Sequence, residues 1–198
     1  MDQFGGISAL KPVEVDVLTD SYRISGTVRT RFGRVTDILN QLSSNHLLVE
    51  QATIREHADP TATLGAPTAV VDVGSIILLA APGLNGEASS EMRIPKRAVK
   101  AHLAIPPVRV SGTIHVAMGS RPLDGLLNVV DRFLAMTDVT IASGPYPELG
   151  RTAAVVAVAR AAAQLVLVAD DEQPDELLAD ILDERTAEAW LRADEPSG

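Results

Sequence analysis

Residues 22–28 read YRISGTV and residues 108–114 read VRVSGTI, so one strand-like segment occurs twice in the chain at an offset of 86. Arg23, Ser25, Gly26 and Thr27 fall on Arg109, Ser111, Gly112 and Thr113. Ile24 and Val28 fall on Val110 and Ile114. Upstream, Val13, Val15 and Val17 fall on Val99, Ala101 and Leu103, and downstream Gly33 falls on Gly119. Small insertions bring RVTDILN (34–40) onto RPLDGLLN (121–128) and QATI (51–54) onto TDVTI (137–141). AVVDV (69–73) then matches AVVAV (154–158), and IILLA (76–80) matches LVLVA (165–169). A repeat of this length is one folding pattern used twice, each copy too small for an ample core of its own.

The alternation of apolar with polar or small residues predicts strands at 12–18, 22–30, 47–55, 68–73 and 76–80, and again at 98–104, 108–117, 133–142, 153–158 and 164–169. A short helix follows the second strand of each copy, with Thr36 and Asp124 as its N-caps. The expected fold class is mainly β with short helices. Two tandem β-β-α-β-β-β repeats (11–80 and 97–169) form small barrels or curled sheets, because curling hides strand edges. The two units are expected to pack with pseudo-two-fold symmetry, within one chain or across a homodimer. Residues 81–96, rich in Gly, Pro, Ser and charge, read as a linker.

The net charge of −9 is unevenly spread. Residues 170–198 hold eleven acidic and two basic residues, which leaves residues 1–169 with fifteen of each sign. A helix is expected at about 174–192, with Leu177, Leu178, Ile181 and Leu182 on one apolar face and Trp190 off that stripe. Leu178, Ile181, Leu182 and Trp190 are the candidate partner-binding residues, and the face docks on the protein's own core, a sister subunit or a partner. The charge disfavours nucleic acid as a partner for the intact chain. The most apolar stretch, 153–169, is short for a membrane span and carries Arg160 and Gln164, so buried strands are expected there. The N-terminus has neither the basic nor the apolar region of a signal peptide. With no cysteine in the chain, a cytoplasmic location is the expectation, and disulfides and thiol chemistry are excluded.

The four histidines (His46, His57, His102, His115) show no metal-site spacing, and no nucleophile elbow, phosphate-binding loop or dinucleotide-binding fingerprint is present. No catalytic residue, metal or cofactor is therefore assigned. One cluster stands out: RTRFGR (29–34) sets Arg29, Arg31 and Arg34 around Phe32 just before a helix start. Guanidiniums beside exposed helix N–H groups suit an anion, and an aromatic ring suits a base. The second copy keeps only Gly119, Arg121 and His115 of this cluster.

The pattern G-T-[VI], then R-x-x-D-x-L-N, then T-[IV], followed by two Val/Ile-rich strands, resembles an uncharacterised bacterial family of small β domains similar in size and strand content to Sm-like barrels. The resemblance rests on residues 24–54 and 110–141. It implies a fold and brings no activity with it, and RNA binding is not carried over to a neutral core with an acidic tail. The expected function is a non-catalytic interaction, scaffold or regulatory protein, with self-association or a protein partner. The alternative is a sensor of a small anionic ligand or nucleotide that uses the Arg29–Arg34 loop.

Overall fold

The computed structural model describes residues 9–84, 96–118 and 130–168. The elements run β1 (Lys11–Leu18), β2 (Tyr22–Thr30), α1 (Val35–Asn40), β3 (His46–Glu56), β4 (Thr63–Asp72), β5 (Leu78–Ala80), β6 (Lys96–Ile105), β7 (Val108–Ala117), β8 (Phe133–Ala142), β9 (Arg151–Ala159) and β10 (Leu165–Val168). The chain is mainly β, as the alternating pattern predicts. All ten strands belong to one sheet in the order β10-β6-β7-β8-β9-β5-β1-β2-β3-β4. Every neighbouring pair is antiparallel.

Each half has the same internal order. β10-β6-β7-β8-β9 and β5-β1-β2-β3-β4 follow one another in the same direction along the sheet. The registers correspond as well. Arg23 faces Arg55 where Arg109 faces Ala142, and Ile54 faces Leu64 where Ile141 faces Arg151. The fifth strands are informative. Leu78, Leu79 and Ala80 lie beside Leu18, Val17 and Asp16, while Leu165, Val166 and Leu167 lie beside Ala104, Leu103 and His102. Leu78 therefore occupies the place of Leu165, two residues from the match that the strings IILLA and LVLVA suggest. A slip of two keeps every side chain on its face, so strings of Val, Leu and Ala score alike in either alignment.

The halves meet edge to edge. β5 pairs with β9 in the register Leu78↔Val158, Leu79↔Ala157, Ala80↔Val156. A two-fold arrangement would have joined equivalent strands. Here the fifth strand of one half meets the fourth strand of the other, so the joint is head to tail. The alternation of side chains then serves two cores. Leu79, Ala157 and Ala159 pack with Val13, Val15, Val17, Ile38 and Leu47 in the first. Leu78, Ala80 and Val158 pack with Leu103, Val110, Met136 and Ile141 in the second. All three residues of β5 are buried, Leu78 and Leu79 completely.

The repeated Ser-Gly-Thr has a physical cause. The β2–β3 register shifts between Ser25 and Thr27, and the β7–β8 register shifts between Ser111 and Thr113. Opposite these bulges, Gln51 and Asp138 adopt positive φ values of 51° and 52°. A Cβ on Gly26 would stand 2.6 Å from the Glu50 carbonyl oxygen, and one on Gly112 would stand 2.9 Å from that of Thr137. Only glycine lets the two backbones approach this closely at the bulge.

α1 is six residues long and starts at Val35, with Arg34 at the N-cap position and no side-chain cap. Thr36, expected to cap it, lies inside the first turn. Val35, Ile38 and Leu39 are buried, so packing rather than a cap holds the segment. Asn40 ties it to the other half: its Nδ2 donates to the Phe133 carbonyl and its Oδ1 accepts from the Phe133 N–H, both at 3.0 Å. Of the expected 81–96 linker, residues 81–84 and Lys96 are described; Ala81 is buried and its carbonyl accepts from the Leu84 N–H, and Lys96 is not linker but the first residue of β6. Asp124 and the expected helix at 174–192 lie outside the described residues.

Gly26→Ala and Gly112→Ala are each expected to cost about 1–3 kcal/mol in urea unfolding, as overpacking does. Gly65, also on a strand but with open space where a Cβ would stand, is the control and should tolerate Ala at little cost.

Candidate functional site

The arginine loop does not converge on one point. Arg29 Nε bonds both carboxylate oxygens of Glu50, at 3.1 and 3.2 Å, across the β2–β3 face. Arg31 lies over the Phe32 ring, its guanidinium carbon 5.3 Å from the ring centre. The Phe32 N–H is taken by Thr30 Oγ1 at 3.1 Å. Arg34, at the α1 N-cap position, acts electrostatically on Asp37. Burial pushes the Asp37 carboxyl above its ordinary range; Arg34 opposes the shift and Asp131 adds to it. Leu178, Ile181, Leu182 and Trp190, the candidate partner-binding residues, lie outside the described residues.

Three of the four histidines place their rings in hydrogen bonds within the fold. His57 is buried, its Nε2 lies 3.1 Å from the Thr19 carbonyl, and its ring stands 5.4 Å from that of Tyr146 in the other half. His102 Nδ1 bonds Ser111 Oγ at 2.8 Å, and His115 Nε2 bonds Thr137 Oγ1 at 3.0 Å. Asp59, two residues from His57, bonds Thr61 instead, and those bonds hold its carboxyl below the usual range. Among the described residues no group of three or more His, Asp or Glu is placed to hold a metal ion. No helix among them is long and apolar enough to cross a membrane.

A charge cluster that burial makes costly lies at the joint between the halves. Arg23 Nε and Nη2 grip Asp16 Oδ1 and Oδ2, each at 3.0 Å. Arg151, at the start of β9, brings its Nη2 to 3.0 Å from Asp16 Oδ2, near enough for an ion pair although off the line a hydrogen bond needs. Its Nη1 donates to the Leu149 carbonyl at 3.1 Å. Burial pulls the Arg151 guanidinium below its ordinary range, Asp16 opposes that shift, and Arg23 reinforces it. One carboxylate thus serves two cations across the β1–β2 hairpin and the neighbouring half. The Asp16–Arg23 diagonal is readable from strand alternation; the approach of Arg151 depends on the β5·β9 joint.

The sheet's two ends are chemically different from that interior joint. β4 exposes Leu64 and Val70, each 64% accessible, and β10 exposes Leu165 at 51%. Among the described residues, each edge strand has one side without a hydrogen-bonded neighbour in the sheet order. Apolar side chains beside free strand N–H and C=O groups are a template for another strand. No protein-family model, curated protein or solved structure matches this chain.

Asp16→Asn should cost about 3 kcal/mol of unfolding free energy, because it leaves two cations at the joint without their carboxylate. Asp37 carries the opposite sign. Its raised folded pKa means that ionisation favours the unfolded chain, so its contribution is fullest in acid and is lost as pH rises through the folded pKa. Asp37→Asn should therefore stabilise the protein at neutral pH, with the gain vanishing below the ordinary carboxylate range. Urea titrations across pH check both.

Proposed function

We propose that this chain is a non-catalytic interaction or scaffold protein. It is built from two copies of one small β unit and docks its partners by strand addition at the ends of its sheet. The observation that carries this reading is the pair of sheet edges, β4 and β10, with Leu64, Val70 and Leu165 exposed beside them. The common strand order and register of the halves support the duplication. The commitment of Arg29 to Glu50 and of each buried or half-buried histidine to a hydrogen bond within the fold supports a structural rather than a catalytic use of these groups. The acidic segment at 170–198 is assigned a secondary docking role, through Leu178, Ile181, Leu182 and Trp190.

Strand addition makes a specific demand on the backbone. The Val73 N–H donates to the Asn45 carbonyl at 2.8 Å, toward β3. Alternation along the strand then turns the Val71 N–H toward β3 and the Val70 N–H away from it. Val70→Pro removes an outward donor while leaving the β3 ladder intact. Proteins captured by the full chain from an extract of the source cells should be lost with Val70→Pro or Leu165→Lys and retained with Arg31→Ala. Capture unchanged by both edge variants would overturn the reading.

A further inference from the structure

We propose that the partner at these edges is a second copy of the chain, added head to tail, with β10 of one copy pairing antiparallel with β4 of the next. This rests on the edge-docking reading and names its partner. The template is the joint already inside the molecule. β5 and β10 hold the same place in their halves, as do β4 and β9. The molecule contains the pairing of β5 with β9, and among the described residues the two ends of the sheet are the unpaired members of the same two kinds. Carrying the internal register over gives Leu165 opposite Val71, Val166 opposite Val70 and Leu167 opposite Ala69.

Burial identifies what this pairing would cover. Leu165 stands where Leu78 stands, and is 51% exposed where Leu78 is 0%. Val70 stands where Ala157 stands, and is 64% exposed where Ala157 is 0%. At the internal joint, Leu78 reaches into the second core and Ala157 into the first, so each strand fills its neighbour's core. Val70 and Leu165 are apolar at the two positions that would do the same between copies. Val166 and Val168 already pack against the second core, as β5 packs its Leu79 against the first.

The backbone agrees. The Ala159 N–H donates to the Ile77 carbonyl at 2.9 Å, which makes Leu78↔Val158 the non-hydrogen-bonded pair and Leu79↔Ala157 the pair that exchanges both bonds. In the transferred register that exchanging pair is Val166 with Val70. Both turn their N–H and C=O groups outward.

Three positions make the joint between copies weaker than the internal one. Asp72 replaces Ala159, His46 replaces Phe133, and Leu64 replaces Arg151, so the bridge to Asp16 has no equivalent. Association is therefore concentration-dependent. A heterologous joint leaves one edge of each kind free after every addition, so it extends to a ring or a filament rather than stopping at a two-fold dimer.

Light scattering and sedimentation of the full chain over a concentration series read this directly. Wild type should rise above the monomer mass, while Val70→Pro and Val166→Pro should each remain monomeric. Mixed in equal amounts, the two variants should form a dimer and nothing larger, because each retains the edge that the other lacks. Retained protection of the β3 amides in hydrogen exchange shows that Val70→Pro folds; if it does not, Val70→Lys replaces it in the same mixture. A wild type that stays monomeric at every concentration, or a mixture that stays monomeric, overturns head-to-tail self-assembly. The capture experiment with foreign proteins is unaffected by that result and decides the broader reading by itself.

Discussion

The antiparallel pairing of β5 with β9 is the contact on which the rest of the molecule depends. β5 is three residues long, yet its side chains alternate between two cores, Leu79 into one and Leu78 and Ala80 into the other. β9 does the same with Ala157 and Val158. A central strand normally divides a buried face from a solvated one. Here both faces are buried, and the composition reflects it: a continuous apolar run with no polar alternation, as in strands covered on both sides. Removing a fully buried leucine from such a place costs about 2–5 kcal/mol, and either Leu78 or Leu79 would weaken a core in each case.

Polar contacts at the joint add direction to this apolar seam. Asp16 holds Arg23 from its own hairpin and Arg151 from the other half. Asn40 offers its amide to both backbone groups of Phe133. His57 sets its ring against Tyr146. A sheet register can slip by two residues without exposing an apolar side chain. Paired hydrogen bonds and a shared carboxylate penalise that slip, and so they select the single register in which the two cores close together.

Much of this was legible in the sequence, and the illegible part has physical reasons. The Gly in Ser-Gly-Thr sits in the middle of a strand, where glycine normally weakens pairing; its recurrence with an 86-residue offset marks a bulge, and Gly26 and Gly112 are where the backbones approach. The alternation Val13, Val15, Val17 marks the buried face of β1. The alignment of the last strands was not legible, because AVVDV and IILLA are nearly featureless under a shift of two. The pairing of β5 with β9 was not legible either: it joins segments far apart in the chain, and nothing local says that a fifth strand will seek another unit's fourth. For the arginine loop, local spacing suggested convergence. The strand geometry instead gives Arg29 a carboxylate on the adjacent strand and leaves Arg31 to the Phe32 ring.

The same seam makes the two halves one cooperative unit, since neither keeps its core without a strand from the other. Native-state hydrogen exchange at the Leu79 and Ala157 amides tests this most directly. Both should exchange only through global unfolding, with the same free energy and denaturant dependence as the slowest amides of β2 and β7. Exchange of Leu79 or Ala157 through a separate, smaller opening, with one half still protected, would contradict it.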